Sequence, residues 1–521
     1  MKRKTFDVVL ALVLVLGFSL LGTGPATAGT LEVGTGKPYA TIQAAITAAT
    51  TGDTVLVYPG TYPESIVLKS GVVVQSSGGA GVTWIQGDGS IYASWEYTVR
   101  GADNSTITGF NITGTGGSVG VLCHESSPAV IANIIQDAGY GVFCLWSSAV
   151  IEDNLIQNHA WSGIQCYQSS ATITDNVVQY SGQSGINCYG DSTGTIAGNT
   201  IQDNGGGGIS CYEASPAIIG NIILYNDNPP WAYGINCKED CSSTIANNVI
   251  YGNGYGIESG YDSTPAITNN TIHGNDDGIH CTDTASPTVT NNIVESNTYD
   301  GIICSGSSSP TLSYNNVWSN GSSDYSGCAA GSGGISSDPQ FVSPATADYH
   351  LQEGSLCINA GKNSALGLPT TDFDGNARIQ QGIVDMGAFE SPFSSPVQPV
   401  SIDIRPQSCP NPLNVGNKGI LPVAILGSEA FDVTQIDPAT VRLQDVAPLR
   451  WALKDVAGPA CSDPDGYLDL TTKFKTQEIV ASLGDVYDGD VLGLTVTGNL
   501  KEAFGTIPIA GTDNIQIIEK R

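Results

Sequence analysis

Residues 185–201 read GINCYGDSTGTIAGNTI, and residues 208–223 read GISCYEASPAIIGNII. Laid one above the other, they match Gly with Gly, Ile with Ile, Cys with Cys and Asn with Asn. The same phrase extends in both directions. Its Cys recurs at Cys123, Cys144, Cys166, Cys188, Cys211, Cys237, Cys281 and Cys304, with Ser259 filling the gap before Cys281. Its Asn recurs at Asn133, Asn154, Asn176, Asn199, Asn221, Asn248, Asn270, Asn292 and Asn315. Steps between successive Cys positions run from 21 to 26 residues and cluster at 22. A fixed period of that length over nine copies is the mark of a solenoid.

Within each copy three short apolar patches alternate with period two, as in Gly185-Ile186-Asn187-Cys188, Thr195-Ile196 and Thr200-Ile201. No segment between them is long enough for a helix. Three strands per coil predict an all-β, right-handed parallel β-helix whose rungs stack at roughly 4.8 Å. The Cys column is expected to fill the interior as free, buried thiols, Cys166, Cys188 and Cys211 among them, because Cys behaves as a small hydrophobe. The Asn file is expected at a tight bend, in a left-handed backbone conformation, with amides bonded down the axis. Ala40–Ala49 predicts a short helix that plugs the open first rung, followed by a strand at Thr54-Val55-Leu56-Val57.

Composition narrows the function. The 521 residues hold 49 Asp+Glu against 19 Lys+Arg, a net charge of −30. So few cations exclude nucleic acid as a partner, since phosphate binding needs Lys and Arg to displace counterions. Lys2, Arg3 and Lys4, the apolar run Val8–Leu21 and Ala26-Thr27-Ala28 read as a signal peptide over residues 1–28. That predicts export to the medium, cell surface or periplasm, with no membrane span after removal. The β-helix is expected over 29–390, a Ser/Pro/Val linker over 391–400 and an antiparallel β-sandwich over 401–521. Alternating runs at Ile420–Ile425 and Val491–Val496 support the last assignment. Cys409 and Cys461 are the expected disulfide of that region.

The stretch YATIQAAITAATTGDTVLVYPGTYPESI, followed by the GI-x-C repeats, resembles the pectate-lyase-like superfamily of exported right-handed parallel β-helix proteins. The resemblance covers residues 36 to 390. The closing segment DFDGNARIQQGIVDMGAFE is similar to that of many bacterial members, and the C-terminal region resembles a bacterial accessory domain. It implies an active groove on an exposed parallel sheet. The superfamily includes lyases, hydrolases, epimerases and adhesins, so the chemistry stays open. The Gly-His-Gly and Arg-x-Lys motifs of polygalacturonases and the Asp-Pro-His-Glu motif of alginate epimerases are absent.

Alternation places the residue before and the residue after each Cys on the outer face. One outward file contains Asn187, Asn236, Glu258 and His280, and the next contains Tyr167, Tyr189, Tyr212 and Lys238. Ring faces beside amides suit a sugar chain, so these residues, with Trp231 of the one lengthened rung, form a candidate glycan strip. Lys238, Glu258 and His280 on adjacent rungs are the candidate acid–base group. With Lys238 the one cation expected on this face, a neutral glycan fits better than a polyanion. Asp463, Asp465 and Asp469 around Gly466 resemble the start of a calcium loop, which makes Ca²⁺ the candidate cofactor; Asp372-Phe373-Asp374-Gly375 is a shorter version. Two functions follow: an extracellular polysaccharide lyase or hydrolase, or a non-catalytic glycan-binding or cell-surface structural or adhesion protein. A third, a periplasmic factor serving copper enzymes, is disfavoured by 5 His and 2 Met.

Overall fold

The computed structural model describes residues 28–226, 232–394, 397–428, 431–458, 463–484, 486–501, 504 and 507–518. The signal segment, but for its last residue, and Trp231 therefore lie outside the described residues, as does Cys461. Each repeat contributes one strand to each of three parallel sheets, which wind as a right-handed solenoid. The first sheet has 13 strands, from Thr30–Val33 to Thr311–Ser313, and the second has 12, from Gly60–Pro63 to Asn316–Trp318. The third has 13 strands, from Ile66–Val67 to Ser323–Ser326.

Strand register in the third sheet is one-to-one. Ile186 faces Ile209, Cys188 faces Cys211 and Tyr189 faces Tyr212. Ile164, Ile186, Ile209, Ile235, Ile257 and Ile279 are all fully buried in one continuous core. Each such side chain is worth roughly 1.5–3 kcal/mol relative to exposure. The helix Ile42–Ala48 closes the first rung, burying Ile42, Ala45 and Ile46. The Glu64 carboxylate accepts from the Ile42 and Gln43 amides at 2.7 and 3.0 Å, which satisfies donors that a helix start leaves open.

The Asn file is a continuous buried ladder, but its backbone differs from expectation. The left-handed residue is the one before each Asn: Ala132, Asp153, Asp175, Gly198, Gly220, Asn247, Asn269, Asn291 and Tyr314. That preceding bend turns the Asn side chain inward, where it bonds backbone on both sides. A second ladder, not singled out in the sequence, runs through Asn204, Asn226, Asn253, Asn275, Asn297 and Asn320 at the corner between the second and third sheets. It follows the same rule, with Asp203, Tyr225, Gly252, Gly274, Ser296 and Ser319 left-handed.

The Cys column is less uniform than expected. Cys123, Cys144, Cys166, Cys188, Cys211 and Cys281 are free and buried, but Cys237 is bonded to Cys241 and Cys304 to Cys328. Cys241 reaches back to the column from the corner four residues on, and Cys328 from the next coil, 24 residues on. Cys409 is also disulfide-bonded.

Past Ser326 the chain folds back along the outside of the second sheet. Tyr349, Met386 and Phe389 cover Val249 and Ile293 there. Arg378, 1% exposed, clasps this strap by donating to the carbonyls of Asp385, Gly387 and Ala388, and its Nε lies 3.3 Å from the Glu390 carboxylate. From Gln398 two further sheets share a second core, which includes Ile404, Val423 and Phe474 from one and Val441, Val496 and Ile517 from the other. This is the expected β-sandwich, except that Asn411–Asn414 and Gln398–Pro399 join it in parallel with Pro508–Ile518.

The calcium expectation finds no support in the structure. Asp469 is fully buried, and its carboxylate accepts from the Gly427, Val456 and Ala457 amides. Asp465 closes its own turn by accepting from Tyr467 N, and Asp463 is exposed. The three carboxylates serve backbone amides or solvent, and among the described residues no three His, Cys, Asp or Glu side chains converge for a metal. Asp372 likewise binds the Asp374, Asn376 and Glu390 amides, while Asp374 pairs with His350 at 2.7 Å.

Candidate glycan site on the third sheet

The outer face of the third sheet brings the sequence-expected residues into the anticipated files. Gln165, Asn187, Ser210, Asn236, Glu258 and His280 are consecutive partners, and beside them Tyr167, Tyr189, Tyr212 and Lys238 are also consecutive. Pleating decides the face, because a one-residue slip would send all of them inward.

Exposure along the face is graded. At the first rungs the outward residues Leu122 and Phe143 are buried in a cluster with Tyr92, Trp95 and Tyr140, where the short strand Ile91–Tyr92 pairs antiparallel with the start of the third-sheet strand Trp95–Arg100. Trp95 packs edge-on against Phe143 at 4.9 Å. Beyond that cover the tyrosines emerge. The rings of Tyr167 and Tyr189 are 4.6 Å apart and tilted, and Tyr212 is 47% exposed. Tyr189, Tyr212 and Asn187 line a shallow cleft of about 330 Å³ together with Tyr140, Gln165 and Gln183. Asn187 donates to Gln165 at 3.2 Å, which fixes both amides at the cleft floor. Sequence reasoning missed Tyr140 and Gln183; Tyr140 stands one residue before its Gly-Val-x-Cys phrase, where a third outward position starts.

Towards the later rungs the surface becomes charged. Lys238 Nζ lies 3.0 Å from Glu258, with side-chain exposures of 24% and 12%. The two form an ion pair across adjacent rungs. His280 shares a hydrogen bond with Ser305 at 3.1 Å and packs on Tyr255 at 5.1 Å. The structure therefore places Lys238, Glu258 and His280 on adjacent rungs while engaging each with a protein partner. Nearby carboxylates Glu239 and Glu213 hold the Tyr212 phenol above its ordinary pKa, and burial does the same for Tyr189. Both rings are neutral platforms at physiological pH.

A second, larger cleft of about 720 Å³ opens at the corner between the second and third sheets, lined by Asp137, Asn158, Tyr180 and Asp203 among others. His159, buried beneath it, donates from Nε2 to the Ile135 carbonyl at 3.1 Å, and burial lowers its pKa to about 4.

Comparison with known proteins agrees with this architecture. The family described as "Right handed beta helix region" matches residues 162–317. The chain is a right-handed parallel β-helix protein. Residues 46–229 also match the family described as "Periplasmic copper-binding protein (NosD)". No curated protein matches. Similar solved structures include the mannuronan C-5 epimerase AlgE4 A-module of Azotobacter vinelandii, 18% identical over 57% of this chain and 95% of that one, TM-score 0.43. XylC in complex with xylose is 10% identical over 70% and 99%, TM-score 0.44. Pectate lyase Pel9A is 17% identical over 70% and 97%, TM-score 0.37.

The span matched by the copper-binding description, residues 46–229, holds thiols and two histidines as soft donors. Its thiols stand one per rung in a line within the apolar interior. His124 is packed between Tyr92 and Trp146, and His159 is engaged with backbone. Among the described residues no three His, Cys, Asp or Glu side chains converge in this span.

Proposed function

We propose that this is an exported polysaccharide-binding protein that lays a glycan along the outer face of its third sheet, over Tyr167, Tyr189 and Tyr212. On this reading the chain comprises a signal peptide (1–28), the β-helix (29–390), a linker (391–400) and an accessory β-sandwich (401–521), and works outside the cell or at its surface. The observation that carries the reading is the cleft in which two stacked-rung tyrosines face two amides that lie one rung apart. Sugar rings present an apolar face to aromatic side chains and hydroxyl edges to amides. The Lys238–Glu258 pair favours binding without turnover, because an acid–base group must be free to exchange protons.

The test is a titration of the purified protein with neutral oligosaccharides. Tyr189→Ala and Tyr212→Ala should each weaken binding roughly tenfold, the loss of about 1.4 kcal/mol for one ring contact. Absence of binding across the panel, or affinity indifferent to both variants, refutes the proposal. Release of new reducing ends or unsaturated products, abolished by Glu258→Gln, would instead support the catalytic reading.

A further inference from the structure

The charge of the tyrosine face selects among glycans, and this inference rests on the binding role just proposed. Three observations converge. First, the cations of the third sheet are engaged. Lys238 is paired with Glu258 at 3.0 Å, and Arg100, at the covered first rungs, stacks on the Tyr92 ring at 3.9 Å. Second, carboxylates border the strip on both sides. Glu213 and Glu239 stand close enough to raise Tyr212, while Asp276 and Asp277 contribute in the same way at Tyr255, after burial. Asp277 is itself raised, by burial first and then by Asp300 among its acidic neighbours. Third, Asn236 sits in the outward file between Ser210 and Glu258, is 8% exposed, and its Oδ1 has no hydrogen-bond partner among the described residues. A buried acceptor without a donor is costly, and on this face a donor carried by a bound ligand would satisfy it.

An acceptor-rich, cation-poor surface repels carboxylated sugars and attracts donors carrying positive charge. We infer that the glycan held here is an amino-sugar polymer with free, protonated amines, its rings on Tyr189 and Tyr212 and its ammonium groups toward Asn236 and the flanking carboxylates. Uronate polymers are excluded by the same field.

The experiment compares three oligosaccharides of equal length, glucosamine, N-acetylglucosamine and galacturonate, at low salt and at a pH where the amine is protonated. The glucosamine oligomer should bind at least tenfold tighter than the acetylated one, and the galacturonate oligomer should not bind. Glu213→Gln combined with Glu239→Gln should weaken the glucosamine oligomer roughly tenfold, as expected for two charges about 7 Å away in water, and leave the acetylated oligomer unchanged. Asp463→Asn combined with Asp465→Asn, in the C-terminal sandwich, should change neither. Equal affinity for the charged and acetylated oligomers overturns this inference and leaves the binding role standing. An equal loss from the C-terminal variant reduces it to general attraction of a polycation to an acidic protein, and also overturns it. If none of the three binds, this inference is overturned, and the binding role is decided by the neutral-oligosaccharide titration.

Discussion

Asn199→Ala tests whether the inner ladder is what holds the rungs together. Asn199 is fully buried, and its Oδ1 accepts from both the backbone N and Nδ2 of Asn176, at 2.9 and 3.0 Å. Its Nδ2 lies 2.9 Å from the Ile173 carbonyl, 3.0 Å from that of Ala197 and 3.0 Å from Asn221 Oδ1. Two amide hydrogens cannot fully serve three acceptors, so the loss amounts to about four hydrogen bonds at ~1 kcal/mol net each, or ~4 kcal/mol. Water cannot repair the damage, because the Ala side chain leaves these groups inside the coil. The nearby variant Gln202→Ala removes one half-exposed ladder bond, Gln202 to Gln179 at 2.8 Å, and should cost under ~1 kcal/mol. Urea unfolding followed by circular dichroism, with hydrogen exchange read at Asn176 and its neighbours, measures both. Solenoids open locally, so the exchange data should localise the effect to the rungs on either side of the substitution. A cost for Asn199→Ala no larger than that for Gln202→Ala would refute the reasoning and make the ladder a consequence of stacking instead of a cause of it.

Three further outcomes follow. Burial lowers His159 from 6.5 to about 4, so the unfolded chain binds the extra proton between those values. Stability is then complete above pH 6.5 and falls by about 3 kcal/mol as pH drops through 4, a limb that His159→Gln should flatten in a pH series of melting temperatures. For the Lys238–Glu258 pair, Lys238→Met alone should cost ~1–3 kcal/mol by stranding a mostly buried carboxylate, while Lys238→Met with Glu258→Leu should recover most of it. A double-mutant cycle in denaturant shows this, and additive losses would contradict it. Mass spectrometry after alkylation of the native protein should find Cys123, Cys144, Cys166, Cys188, Cys211 and Cys281 unmodified, with Cys237–Cys241 and Cys304–Cys328 bonded. Labelling of the column thiols before unfolding would count against an interior position.

The legibility of this chain differs from one level to the next. The 22-residue recurrence of Cys and Asn was sufficient for the solenoid, its sheet count and the pairing of Tyr189 with Tyr212, because a repeat places equivalent residues at equivalent coil positions. The second ladder was equally legible through Asn204, Asn226 and Asn253, yet those residues sit in phrases that vary more than Gly-Ile-x-Cys does. The calcium motif went unsupported for a different reason. Three aspartates near a glycine describe a metal loop or a set of backbone clasps equally well, and the packing of Asp469 beneath Gly427 chose the clasp.

What the sequence determined by itself was periodic: which residues face inward and which share a file. These depend on short-range alternation and on a register that repeats with every turn of the coil. What the tertiary structure decided was aperiodic. The aromatic cover over Phe143, the strap that hides the later second sheet, the reach of Cys241 and Cys328 into the column, and the closing of Lys238 onto Glu258 each involve an element that breaks the repeat. Such contacts arise from the folded path of the chain through space, which no period in the sequence encodes.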